Sequence, residues 1–212
     1  MFNLVYPPRC PLCDLLCQSR NICGNCLESL HILDGDFTAP HLERVWFQRA
    51  RSCFAYEGKI LEATHGFKYL KRFDLVPVFT HYLVCEIKRL GEHDVLIPIP
   101  LHWRRLWGRG YNPSALLARS LGKKLGLDVD CHVLKKSKNI IPQVGLSRDE
   151  RLKNIKGAFE IHSRRKARLA DKKILLIDDV LTTGATVNEC AKILMKEAHC
   201  QTVDVITIAR TI

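Results

Sequence analysis

A chain of 212 residues with 47% hydrophobic and 26% charged residues has enough apolar material for one full core and room for a small appendage. No apolar run approaches the roughly 18 residues needed to cross a bilayer, which argues against membrane insertion, and the first ten residues lack the pattern of a signal peptide, so a cytoplasmic protein is expected. The net charge of +11 favours a polyanionic partner, above all because residues 135–173 hold thirteen Lys and Arg against four acids.

The chain begins with a cysteine-rich head. In CPLCDLLCQSRNICGNCLESL, two CxxC pairs, Cys10 with Cys13 and Cys23 with Cys26, are separated by nine residues. Each pair forms a knuckle whose turn amides face the sulfurs, and four thiolates close a tetrahedral Zn²⁺ site. Such a site is structural, because so short a segment has too little core to fold alone and metal binding supplies the folding free energy. Cys17 and His31 are weaker substitutes, since only the paired arrangement uses both knuckles. Cys53, Cys85, Cys131, Cys190 and Cys200 stand singly among apolar neighbours and are expected as core thiols in a reducing compartment. Residues 1 to about 30 are rich in cysteine, proline and polar turn formers and the text becomes regular from about 50, so residues 1–45 are expected to form the metal module and 46–212 a second domain.

From residue 50 the text becomes regular. RSCFAY reads as a strand, KILEATHGFKYL as a helix, and LVPVFTHYLVCEIKRLG as a longer helix broken near its start by Pro77. HDVLIPIP reads as a strand, and NPSALLARSLGKKLGL as a helix with Pro113 and Ser114 near its start. DCHVLKK is a weak strand, LSRDERLKNI a short helix and GAFEIH a strand. KKILLIDDVL is the strongest strand, GATVNECAKILMKEA the helix after it, and QTVDVITIAR a final strand. Strands alternating with helices predict an α/β fold, a mainly parallel sheet flanked by helices. In such sheets ligands bind at the carboxyl ends of the strands. Three of those ends carry polar chemistry here: PIPLHWRRLWGRGYN, KKSKNIIPQ and DDVLTTGAT.

The last of these is the most informative. A buried strand has no use for adjacent like charges, which repel and are costly to desolvate. Ile174 to Ile177 would therefore deliver Asp178 and Asp179 to the sheet's edge, followed by a tight loop, Leu181 to Gly184, and a helix from about Ala185. Amides of a Thr/Gly loop at a helix N-terminus form an anion cradle, helped by the hydroxyls of Thr182, Thr183 and Thr186. Phosphate is the natural guest. The carboxylates would face hydroxyls, a metal ion or a developing positive charge, and a sugar phosphate supplies all three.

ILLIDDVLTTGAT resembles the signature of type I phosphoribosyltransferases, which bind phosphoribosyl pyrophosphate (PRPP). The resemblance implies that Asp178 and Asp179 bond the ribose hydroxyls and that Leu181, Thr182, Thr183, Gly184, Ala185 and Thr186 hold the 5-phosphate. YEGKILEATHGFKY, IPIPLHWRRLWGRGYN, PQVGLSRDERLKNIKGAF and VITIAR resemble successive blocks of the ComF family, also called competence protein F or GntX-like proteins. One departure is Pro113, where that family commonly has glutamine after RGYN. The resemblance implies a role in natural transformation and DNA uptake, with single-stranded DNA and proteins of the uptake machinery as partners.

PRPP's pyrophosphate needs cations, for which Lys68, Arg104, Arg105 and Arg109 are candidates. Mg²⁺ is expected with PRPP because it bridges such oxygens while keeping several waters. A nucleic-acid path would use Lys135, Lys136, Lys138, Arg148, Arg151 and Lys153, with Trp103 and Trp107, and Tyr111 beside them, stacking bases. His102, at a strand end, reads as a loop histidine. No acceptor site is legible, so two readings stay open: a PRPP-binding protein that handles incoming DNA, and an active phosphoribosyltransferase acting on a nucleobase or nucleotide. A zinc-ribbon regulator sensing PRPP has less support, because no helix-turn-helix pattern appears.

Overall fold

The computed structural model describes residues 7–17, 21–40, 42–137 and 155–212. Its strands are β1 (Ala50–Ala55), β2 (Val95–Pro98), β3 (Asp128–Val129), β4 (Leu134–Lys136), β5 (Phe159–Ile161), β6 (Lys173–Leu181) and β7 (Thr202–Arg210). Its helices are α1 (Gly24–Glu28), α2 (Gly58–Tyr69), α3 (Leu75–Leu90), α4 (Trp103–Arg109), α5 (Pro113–Leu125), α6 (Ser163–Lys166) and α7 (Ala185–Glu197).

The apolar runs pair because strands buried on both faces are stable only in the middle of a covered parallel sheet. The order is β1-β7-β6-β2-β3, with every pairing parallel. Side chains of successive residues take opposite faces. On β6, Ile174 and Leu176 pack with Val187, Cys190, Ala191 and Leu194 of α7. Leu175 and Ile177 face Ile60 and Phe67 of α2, Phe79 and Leu83 of α3, and Leu117 and Leu121 of α5. The predicted α/β architecture is the observed one.

The strand order also fixes where a ligand fits. Chain leaving β2 turns to β3 on one side, and chain leaving β6 turns to β7 on the other, so a crevice opens between the carboxyl ends of β2 and β6. Three local expectations are revised. DCHVLKK is not one strand of this sheet: β3 precedes it at the sheet's edge, while β4 pairs antiparallel with β5, the GAFEIH segment, in a separate ribbon. Pro77 does not break α3, because it is the third helical residue, where the first turn needs no amide donor. The segment LHWRRLWGR, expected only as the end of a strand, contains a helix, α4, capped by the imidazole of His102. Most of the helix expected at 146–155 lies outside the described residues.

Between the head and β1 the chain runs along the sheet's outer edge. Ala55 N–H donates to His31 O at 2.9 Å, Leu33 N–H to Cys53 O at 3.0 Å, and Phe37 N–H to Ala50 O at 2.6 Å. Asp34 and Asp36 on this segment pair with the buried Arg51 at 3.1 and 2.9 Å, and Glu86 of α3 completes the cluster at 2.7 Å.

Candidate functional site

The carboxyl end of β6 brings Asp178 and Asp179 into the crevice. Ser114, at the start of α5, donates its hydroxyl to Asp178 Oδ1 at 2.9 Å, which bridges the gap between β2's continuation and β6. Asn112 caps α5 by accepting from Ser114 N–H at 3.1 Å and anchors itself to Ile99 O at 3.0 Å. Burial, then the neighbouring charge of Asp179, pushes the Asp178 carboxyl up to about 7, although Lys68, the Asp179 amide and Ser114 pull the other way. Around neutral pH this group therefore moves between an acid and an acceptor-only carboxylate.

Asp179 is 8% exposed and is paired: Lys68, in the last turn of α2, reaches Asp179 Oδ1 at 2.8 Å. Burial pulls the Lys68 pKa down, but the charge of Asp179, with Asp178 behind it, outweighs this and the net direction is up. The sequence reading places Lys68 toward a pyrophosphate; in the structure its ammonium rests on Asp179. The last turn of α2 is tied down by Tyr111, whose hydroxyl donates to Phe67 O.

Leu181 is buried at the end of β6, and the chain then turns through Thr182 and Thr183 to Gly184, whose φ of 74° caps α7. Thr183 Oγ1 accepts from Ala185 N–H at 3.4 Å. Thr182 is exposed and Thr186 half-buried. The loop is supported from behind: a Cβ on Gly184 would stand 3.0 Å from the Phe37 ring. Asn188 on α7 holds the same arm by accepting from Trp46 N–H at 2.7 Å and donating to Arg44 O at 2.8 Å. Gly184→Ala is expected to destabilise the protein by about 1–2 kcal/mol through the left-handed backbone alone. A Tm lowered by roughly 2–8 °C in thermal unfolding checks this; an unchanged Tm would contradict the strain.

The expected cations separate into two groups. Arg104, Arg105 and Arg109 lie on α4, none of whose residues is buried. Arg109 covers the Tyr69 ring at 4.7 Å, and Arg104 lies 5.3 Å from the centre of the Trp103 ring. Trp103 is 55% and Trp107 85% exposed, so the aromatics are not packed on the sheet. Lys135 is exposed on β4, whereas Lys136 is half-buried with its ammonium 5.1 Å above the Phe159 ring. Burial and then the charge of Arg105 push Lys136 down, while the charge of Asp178 acts in the opposite direction. Burial, then Arg104, Lys136 and Arg105, also lower His102 and favour the neutral imidazole that accepts from Arg104 N–H at 3.3 Å. Lys138, Arg148, Arg151 and Lys153 lie outside the described residues.

Sequence reasoning gave Ser114 no role and assigned Lys136 to an outer nucleic-acid path. The signal for Ser114 was the NPS cap itself, since an N-cap after a strand end sits at the sheet's carboxyl edge. No sequence pattern distinguishes Lys136 from Lys135 beyond the alternation of a strand, and three residues of strand are too short to fix a face.

At the head, the ligand atoms of Cys10, Cys13, Cys23 and Cys26 all lie within 4.8 Å of one another. Metal–sulfur bonds of about 2.3 Å in a tetrahedron place sulfurs roughly 3.8 Å apart, and Cys13 Sγ and Cys23 Sγ are separated by 3.8 Å. Cys23 N–H points at Cys10 Sγ at 3.4 Å, as a knuckle amide does. The four thiols therefore fit a metal ion, and Cys17 is not among them. The head packs Cys10, Ile22 and Cys26 against Val78 of α3, with Tyr82 partly covering them.

The comparisons with known proteins agree with this geometry. The phosphoribosyl transferase domain family matches residues 108–211, which span α5 to β7 and include the acid pair and its loop. The chain is 38% identical over 136 residues to competence protein F of Haemophilus influenzae, the match covering 61% of this chain and 59% of that protein. It is 28% identical over 210 residues to DNA utilization protein YhgH of Shigella flexneri, covering 96% and 84%. It is also 26% identical over 205 residues to competence protein ComFC of Bacillus subtilis, covering 95% and 78%.

Proposed function

We propose that this chain, which belongs with the competence protein F and YhgH homologues and carries a phosphoribosyl transferase domain, binds PRPP at the β2–β6 crevice and acts in DNA uptake, handling incoming single strands in the cytoplasm. The observation that carries the PRPP reading is the acid pair at the switch point of the sheet, adjoining a glycine-capped loop that opens a 13-residue helix. Asp178 and Asp179 accept from the ribose hydroxyls. Thr182, Thr183 and Thr186, with the amides of Gly184 and Ala185, hold the 5-phosphate.

Lys68, Arg105 and Lys136 are the cations expected to meet the pyrophosphate, and Mg²⁺ would neutralise its oxygens. Lys68 exchanges Asp179 for a pyrophosphate oxygen when the ligand enters, which keeps an ammonium and a carboxylate from being stranded in the empty site. If ribosyl transfer occurs, pyrophosphate leaves C1 and the carboxylates stabilise the positive charge that develops there. Zn²⁺ is the ion that suits four cysteine thiolates in a tetrahedron, and its role is structural.

Calorimetric titration with PRPP and Mg²⁺ tests the reading. Binding is expected to strengthen as pH rises through about 7, where Asp178 becomes an acceptor, and Asp178→Asn is expected to flatten that profile. A flat profile in the unaltered protein would count against Asp178 as a ribose ligand. Pyrophosphate release in the presence of nucleobases separates binding from transfer.

For DNA, α4 is the primary contact, because two exposed tryptophans alternate there with three arginines. Base stacking contributes about 1–3 kcal/mol per base, so Trp107→Ala should weaken single-strand binding by roughly 5- to 150-fold. Arg104→Glu should also flatten the salt dependence. Fluorescence anisotropy with a labelled oligonucleotide reads both, and salt-independent binding would remove the claim.

A further inference from the structure

The metal cluster has a partner outside the head. Lys59, the second residue of α2, extends its ammonium to Cys26 Sγ at 3.2 Å. Cys26 is 1% exposed and Cys10 is 1% exposed, so two of the four sulfurs are shielded from water that would otherwise solvate their charge. Four thiolates around a divalent ion carry a net charge of about −2. Among the described residues, two other cations that reach the head, Arg9 and Arg72, are already engaged. Arg9 pairs with Asp14 at 3.4 Å, and Arg72, which donates to Pro11 O at 2.9 Å, pairs with Asp74 at 2.7 Å. Cys10 has a backbone donor in the Cys23 amide. Cys26 takes its donor from the neighbouring domain.

We infer that Lys59 is a positioning residue of the metal centre: its ammonium donates to the Cys26 thiolate, offsets part of the cluster's charge, and fastens the head to the first turn of α2. The inference rests on the reading of the four cysteines as a metal site. Its chemical consequence is specific to one sulfur. A hydrogen bond from a cation withdraws electron density from the thiolate lone pair, so Cys26 becomes the least nucleophilic of the four ligands. Attack by an electrophile such as iodoacetamide forms an S–C bond from that lone pair and expels iodide, which removes one ligand and opens the site. With Lys59 in place, this reaction begins at another cysteine. Without it, Cys26 loses its protection and the head loses its tether to α2.

The test uses the full metal-loaded chain, with Lys59→Met and Lys59→Arg compared to the unaltered protein. Loss of an outer-shell partner costs a metal site about 10- to 100-fold in affinity, so metal transfer to a chromogenic chelator should be about tenfold or more faster in Lys59→Met and near the unaltered rate in Lys59→Arg. With Co²⁺ substituted, the thiolate-to-metal charge-transfer band should move to longer wavelength in Lys59→Met and return in Lys59→Arg. Peptide mapping after iodoacetamide should find Cys26 modified early only in Lys59→Met. Unaltered release and an unmoved band in Lys59→Met would overturn the inference. Equal acceleration in both variants would overturn it too, by assigning Lys59 to packing alone. Absence of stoichiometric metal from the unaltered protein would overturn the metal reading beneath it.

Discussion

Asp178→Asn is expected to weaken PRPP binding by about 10- to 150-fold while raising thermal stability at pH 8, because the two effects have separate origins. A hydrogen bond to a charged group contributes about 1.5–3 kcal/mol, and an amide offers the ribose one acceptor oxygen in place of a carboxylate. Stability moves the other way. The Asp178 carboxyl is raised to about 7 in the folded chain, above its unfolded value, so its contribution is fully present below the unfolded value and is lost as pH rises through 7. At pH 8 the folded protein carries two adjacent carboxylates, with the Lys68 ammonium resting on Asp179, and the amide removes the repulsion between them. Asp179→Asn should behave differently, since it strands Lys68, and a buried charge left without its partner costs about 3–5 kcal/mol. Differential scanning fluorimetry and calorimetry on the two variants read both quantities. Equal destabilisation by both substitutions would contradict the division of labour between the two acids.

Cys26→Ser is expected to abolish stoichiometric metal retention and to unfold the head. Among the described residues of the head, 7–17 and 21–30, the buried core of its own cluster is Cys10, Ile22 and Cys26 against Val78. Metal affinity in such sites is folding free energy, on the order of 10 kcal/mol, which exceeds what so small a buried cluster among the described residues supplies. Limited proteolysis with mass spectrometry should find new cleavage within the head. The sheet should survive, because its core lies in two clusters that Cys10, Cys13, Cys23 and Cys26 do not enter. A metal-depleted variant whose head resists protease as the unaltered one does would show that the fold does not depend on the ion. Metal content by elemental analysis completes the measurement.

The sheet was legible because its strands are long and apolar where they are central: β6 and β7 announce themselves, although β6 runs on past the acids at 178 and 179 to Leu181, and the crevice opens at them because β2 pairs no further than Ile177. The head was legible because metal ligation imposes a spacing that packing does not. Short elements were not. β3 has two residues and β4 three, too few to display a period, and their partners were decided by tertiary contacts. Helix α4 escaped notice because it has no buried face and therefore no apolar stripe. The ion pair of Lys68 with Asp179 joins residues 111 positions apart and leaves no trace in local sequence.

The arm that leaves the head along β1 has a consequence for any shortened form of this protein. The expected module boundary falls at residue 45, yet residues 31–37 satisfy the outward backbone groups of Cys53, Ala55 and Ala50. A chain beginning at residue 46 would keep the residues of the β2–β6 crevice and expose a bare strand edge, which is a template for pairing with another copy. Such a fragment should self-associate, and its loss of function would reflect aggregation before it reflected chemistry.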